Sequence, residues 1–484
     1  MLLLAMLAVA HAQTCPGDAS HAAVHVSDDN EAQLLVCPPT GEDGSVFIGG
    51  RLVTSEVEEL KARVQVAESN LAATQTDLAA TQTELAATQT KLAATQGELA
   101  ATKGELAATK GELAATKGLV APAYEAALSW TRLVGTSSED FGYGLAVDGN
   151  GDVYITGTTG GDLDGQTNTG KDDIALIKFN SAGTKLWTRL VGSSSDDWGR
   201  GVAVDGNGNV YVTGSAFGAD LDGQTNAGNS DIALIKFNSA GTMLWTRLVG
   251  TSSTDHGTGV AVDGNGDVYV TGHTGGDLDG QTNAGSDDIA LMKFNSAGTK
   301  LWTRLVGSSI FDYGTGVAAD GNGDVYVIGH TTPDLFGRGE LDGQTSAGVT
   351  DIALIKFDSA GTKLWTRLVG TTEDDIGNGV AVDGNGDVYI TGTTHGDLDG
   401  QTNTGKDDIA LIKFNSAGTK LWTRLVGSSS DDWGRGVAVD GSGNVYITGH
   451  IYGNLDGQIN AGDFDIALIK FNSAGTKLWT RLVG

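Results

Sequence analysis

Aspartates recur through this chain at spacings that could hold a cation. Asp148-x-Asn150-x-Asp152 repeats the first three ligand positions of an oxygen-lined calcium loop, and Asp162-x-Asp164 is followed by Asp172 and Asp173, which could complete a second oxygen cage. Against calcium, the first loop lacks the glycine that should stand sixth and has no downstream bidentate glutamate. Asn209 and Asn444 also replace its third ligand in two copies. The same residues suit hairpin turns, because Asp and Asn tolerate left-handed backbone and bond their own amides while Gly supplies positive φ. The sequence therefore predicts no cofactor, with calcium as the alternative.

Other chemistries find less support. His256, His273, His330, His395 and His450 are scattered over loops without ligand spacing, and the sequence shows no Ser-His-Asp arrangement, reactive cysteine, phosphate loop or zinc motif. A non-catalytic chain is expected. The enzymatic alternative is a glycan hydrolase or lyase, which would need two acids about 5 or 9 Å apart in a deep pocket. Sixty carboxylates against 30 Lys and Arg give a formal charge of −30, which argues against nucleic acid and anionic membranes as partners.

The elements that must position these acids are repeats. Trp-Thr-Arg-Leu-Val-Gly begins at Trp130, Trp187, Trp245, Trp302, Trp365, Trp422 and Trp479, at spacings of 57, 58, 57, 63, 57 and 57. Within one period, 144–147 and 152–157 flank a Gly/Asn turn, 173–179 is a continuous β-type run, and 185–190 follows the turn 180–184. Four antiparallel strands that cannot bury both faces alone must stack on copies of themselves, as propeller blades do. Six full sets follow an extra outer strand, 128–134. The fold class is thus an all-β propeller of four-stranded blades, six expected and seven the alternative, behind a long α-helical coiled-coil stalk.

Strand order places the inter-blade connection and the long loop between the second and third strands on one face, with the two short turns on the other. The connection carries Asp140, Asp197, Asp255, Asp312, Asp375 and Asp432; the long loop carries Asp164, Asp222, Asp279, Asp342, Asp399 and Asp456. One densely acidic binding face is predicted, opposite a milder face that bears Lys185 and Lys420. Trp198 and Trp433 sit in the acidic connections, where an aromatic beside carboxylates could stack on a sugar or hold a cation. Residues 331–340 hold a six-residue insertion with Phe336 and Arg338, a place where a blade can gain specificity. Residues 169–206 and 404–441 are identical over 38 positions, so sameness between repeats records copying as much as need.

Residues 1–12 read as a signal peptide, an apolar run ending in Ala10-His11-Ala12 and too short to span a bilayer. Segment 13–54 contains Cys15 and Cys37, a candidate disulfide in an oxidising compartment. From 55 to 118 a heptad places Leu71, Leu78, Leu85, Leu92 and Leu99 on one seam with threonines on the other, a coiled coil that Gly97, Gly104 and Gly111 weaken and Pro122 ends. A linker, 119–127, leads into the propeller at 128–484.

Ala-Val-Asp-Gly-Asn-Gly-Asp-Val-Tyr-Ile-Thr-Gly (146–157), Leu-Asp-Gly-Gln-Thr-Asn (163–168) and Asp-Ile-Ala-Leu-Ile-Lys-Phe-Asn-Ser-Ala-Gly-Thr-Lys-Leu-Trp (173–187) resemble the bacterial-type beta-propeller repeat, or SBBP, family. The resemblance covers 128–484. It implies a propeller from large extracellular or surface proteins, without catalytic residues and with seven blades by name. The expected function is a secreted or cell-surface binding scaffold for a protein or glycan ligand, made a homo-oligomer by the coiled coil. Alternatives are a purely structural surface or matrix repeat, and a chain held at the membrane by an uncleaved signal.

Overall fold

The computed structural model describes residues 12–14, 22–24, 47–48, 51–52, 54–127, 130–332 and 340–484. Residues 1–11 of the expected signal peptide, Cys15, Cys37, Phe336 and Arg338 lie outside the described residues. The chain divides into two compact units, 1–127 and 128–484.

In the first unit, one helix of 74 residues runs from Thr54 to Ala127, roughly 110 Å at 1.5 Å per residue. It continues through all three glycines and past Pro122, so the stop expected from the sequence does not occur. Extending an existing helix costs far less than nucleating one, and a proline removes a single i→i−4 bond. The seam threonines satisfy themselves: Thr74, Thr81, Thr88, Thr95 and Thr102 donate their hydroxyls to the carbonyls four residues back. Leu71, Leu78, Leu85, Leu92 and Leu99 are each more than half exposed. No described helix is long and apolar enough to cross a membrane.

The second unit is a propeller of six four-stranded antiparallel blades. In the first, the inner strand is Asp140–Val147, the second Val153–Thr159, the third Asp173–Phe179 and the outer Lys185–Val191. The third strand is apolar in near-continuous sequence because both its faces are covered, and in the first five blades it is buried along its whole length. Blades join by one repeated contact. Tyr154, Ile174 and Leu176 pack on Val202, Val210, Val212, Ala233, Ile235 and Phe237 of the next blade. The repeated tryptophan locks this contact at the rim: Trp187 Nε1 donates to Ser239 O at 3.3 Å and Arg189 Nε to Gly241 O at 2.6 Å, with the guanidinium 5.4 Å from the indole centroid.

Residues 130–134 form no seventh blade and do not reach the sixth. Trp130 and Arg132 take the tryptophan–arginine seat on the first blade, donating to Ser181 O and Gly183 O. The outward faces of the end blades stay open. Leu145 and Val147 of the first blade, and Ile466 and Leu468 of the sixth, are exposed where their counterparts between blades are covered. Gly379 of the fifth inner strand lies against the backbone of residues 435–437, whereas its counterpart Gly436 meets only Thr448 of its own blade.

Each inner strand carries a bulge opposite a glycine of the second strand. The register shifts between Gly257 and Gly259, and a Cβ on Gly272 would stand 1.8 Å from His256 O. Gly272→Ala is expected to cost about 2 to 3 kcal/mol by overpacking. Scanning calorimetry against Gly264→Ala, where a Cβ meets nothing within 4 Å, checks it. Equal midpoints for the two variants would refute the steric argument.

Candidate functional site: a variable aromatic and histidine band

The six blades differ from one another mainly at one edge. The residue after the inner-strand aspartate reads Phe141, Trp198, His256, Tyr313, Ile376 and Trp433, while the turn Asp-Gly-Asn/Ser-Gly at the opposite edge barely changes. Strand pairing brings each variable residue against a second variable one: Trp198 faces Ser215, His256 faces His273, Tyr313 faces His330 and Trp433 faces His450. Copies this recent have diverged chiefly where the inner strand starts and the second strand ends.

These side chains form a chain of ring contacts across blades. Trp198 lies 4.6 Å from Phe217 and 6.5 Å, stacked, from His256. His256 is 5.0 Å from His273, which meets Tyr313 edge-on at 4.6 Å, and Tyr313 is 5.3 Å from His330. On the last two blades His395 Nε2 sits 2.9 Å from Asp407, whose other oxygen accepts Trp433 Nε1 at 2.8 Å. Trp433 then packs with His450, Tyr452 and Phe464.

Burial keeps the central imidazoles uncharged. It pushes His273 down to about 3, helped by His256 and His330, and His330 down to about 4. His256 is also lowered, by burial first and Arg200 second. Each ring at neutral pH therefore offers one donor and one acceptor; His256 Nδ1 shares a hydrogen bond of 2.8 Å with Ser215 Oγ.

The predicted acidic face is not built from the predicted acids. Asp197, Asp255, Asp312, Asp375 and Asp432 are fully buried at the blade junctions, and Asp140 is partly buried. Their carboxylates bond the loop that leads into their own strand, as when Asp197 accepts from Ser193 N and Oγ. Burial pushes Asp197 up to about 6, against those hydrogen bonds and with help from Asp173. A strand-initiating Asp that caps its own loop is spent on folding.

The long-loop acids lie elsewhere again. Leu163-Asp164-Gly165-Gln166 is a tight turn with φ of 53° at Asp164 and 77° at Gly165, the positive pair of a type I′ turn. It lies along the outer strand, where the Gln166 side chain donates to Thr188 O and accepts from Leu190 N. Asp164 therefore meets Lys185 and Thr188, and the pairs Asp279–Lys300, Asp342–Lys363, Asp399–Lys420 and Asp456–Lys477 repeat it. Lys185 and Lys420, assigned from sequence to the opposite face, are the partners of these acids. Asp222 keeps the turn with φ of 49°, while Met243 stands at the lysine position.

The calcium-like turn is a hairpin turn. Asp148 Oδ1 accepts from Asn150 N and Asp152 N, Oδ2 accepts from Tyr154 Oη, and Asp152 pairs with buried Lys178 at 2.9 Å. Among the described residues no group of three or more acids, histidines or cysteines is placed to hold a metal. Of the predicted site residues, Trp198 and Trp433 are in the band. Its histidines have no ligand spacing along the chain; their signal in the sequence is variation between otherwise matching repeats.

A scan of family models matches the beta-propeller repeat at 129–164, 186–222, 244–279, 301–337, 364–399 and 421–456. An uncharacterized WD repeat-containing protein of Acanthamoeba polyphaga mimivirus is 22% identical over 474 residues, covering 73% of this chain and 34% of that protein. The regulatory protein FlaEY of Caulobacter vibrioides is 27% identical over 233 residues, covering 43% of this chain and 24% of that protein. The chain thus spans about a third or less of the length of these relatives. Among solved structures, an ulvan lyase of a polysaccharide lyase family aligns with a TM-score of 0.44 at 13% identity, covering 73% of this chain and 87% of that one. The Neurospora crassa Pan2 WD40 domain aligns with a TM-score of 0.37 at 9% identity, covering 70% and 89%. Six matched repeats, each supplying strands to a four-stranded blade, make this chain a beta-propeller repeat protein of the SBBP family.

Proposed function

We propose that the protein is a secreted or cell-surface, non-catalytic binding scaffold that presents the variable band to a glycan or protein ligand. The observation that carries this reading is the concentration of differences between near-identical blades on one edge, where the side chains are aromatic, imidazole and hydroxyl groups suited to recognition. Burial of the junction aspartates also speaks for binding over acid–base catalysis, since those carboxylates face their own loops. The exposed leucine stripe of the helix suits self-association into a homo-oligomer, which would multiply weak contacts.

A glycan array and a panel of extracellular proteins, probed with the full chain and two variants, test the reading. Replacing Phe141, Trp198, Tyr313 and Trp433 together by Ala should abolish binding, while Lys185→Ala with Lys420→Ala should leave it unchanged. The reverse pattern would sink the assignment of the binding edge. Light scattering on the same samples should give a mass above one chain that falls to 49.6 kDa when Leu78, Leu85 and Leu92 are replaced by Glu. A parent that is already monomeric would remove the avidity argument.

A further inference from the structure

The band is not uniform. Between the third and fourth blades it opens into a cavity of about 550 Å³, lined by His256, His273, Asp287, Phe311 and Tyr313 together with Ser, Thr and Asn groups. Phe311 is 39% exposed and lies nearly parallel to Tyr313, 7° between planes with centroids 6.0 Å apart, so the two rings present an open apolar shelf. Ser252, Ser253 and Ser286 stand at the cavity wall.

Charge distinguishes this cavity from the first and fifth junctions. At the first junction the corresponding positions hold Lys171, with Asp172 at 3.9 Å and Asp196 at 3.8 Å; at the fifth they hold Lys406, Asp407 and Asp431. Here they read Ser286, Asp287 and Phe311. Among the described residues lining the cavity there is no lysine or arginine, and the one acid, Asp287, is turned to the phenol of Tyr313. Burial, and then Asp287, push that phenol up to about 12, so it stays a neutral hydroxyl. The imidazoles are uncharged as well. An anionic ligand finds no counter-charge here, and a cation would compete with Tyr313 for a single carboxylate. An exposed aromatic shelf beside hydroxyls and neutral imidazoles matches a ring that has one apolar face and hydroxyls at its edge.

We infer that this cavity, resting on the scaffold reading above, takes a neutral sugar unit of a glycan, stacked on Phe311 and hydrogen-bonded by Tyr313, His256 and the neighbouring serines. Native gel electrophoresis of the full chain through dextran, galactomannan, alginate and chitosan tests it. Retardation by a neutral polymer, weakened about tenfold by Phe311→Ala and unchanged by Lys185→Ala, supports the site. Circular dichroism confirms that each variant is folded, and Phe311→Tyr, which restores a shelf, should recover binding. Neutral-polymer binding lost in Trp433→Ala but intact in Phe311→Ala overturns this site and leaves the scaffold reading standing. Retardation by alginate or chitosan alone overturns the ligand class. Passage unretarded through all four overturns the inference, while protein ligands on the panel above would still decide the scaffold reading separately.

Discussion

Ile409→Ala is expected to lower the stability of the propeller by about 3 to 4 kcal/mol, and Ile466→Ala by less than about 1 kcal/mol, although the two isoleucines occupy the same place in successive repeats. Ile409 is fully buried, packed with Tyr389 and Leu411 against Val445 and Ile447 of the sixth blade. Ile466 points the same way from its own blade, meets no further blade and is 60% exposed. Truncating the first removes apolar area and leaves a cavity between blades; truncating the second removes area that water already reaches. Urea unfolding of the two variants measures the difference. Equal losses would show that the outward face of the sixth blade is covered in solution, and the open-ended array would have to be abandoned.

Asp197→Asn is expected to stabilise the protein at pH 7.5 by about 2 to 3 kcal/mol. The folded carboxyl is pushed up to about 6 from 3.8, so the folded state holds its proton more tightly than the unfolded chain does. Its contribution is fully present below about pH 3.8 and is lost as pH rises through about 6. Above that, the fold carries a charge at a fully buried position beside Asp173 of the preceding blade, with Oδ1 lacking a partner. An asparagine keeps an oxygen to accept from Ser193 and places a neutral amide where that oxygen stood. Buried His273 and His330 pull the other way below pH 6.5, their folded values being lowered, so variant and parent are compared at each pH. The gap in unfolding free energy should widen from pH 4 to 7.5. A variant less stable than its parent at pH 7.5 would show that the ionised carboxylate earns its place through Ser193 after all.

Legibility followed periodicity. The strand starts and the two short turns were readable because Gly, Asn and Asp act through their own backbone. The helix is legible from its leucine heptad, but its end is not, since a proline removes a single i→i−4 bond and the helix runs on to Ala127. The aspartate roles were illegible. Asp164 and Asp197 look alike in sequence, yet one is ion-paired at the rim and the other buried at a junction. Burial depends on which blade lies next door, and no local pattern encodes that.

The sequence by itself determined the unit: one hexapeptide every 57 or so residues, four strands, tight turns and a long helix with a leucine heptad, because these follow from backbone preference and the period of apolar residues. Only the tertiary structure decided which acids are spent on folding, that the end blades keep an uncovered face, and that residues far apart in the chain, from Trp198 to Phe464, line one edge. Those outcomes are set by contacts between repeats. A residue's neighbours across a blade junction lie some fifty positions away, where sequence carries identity but not proximity.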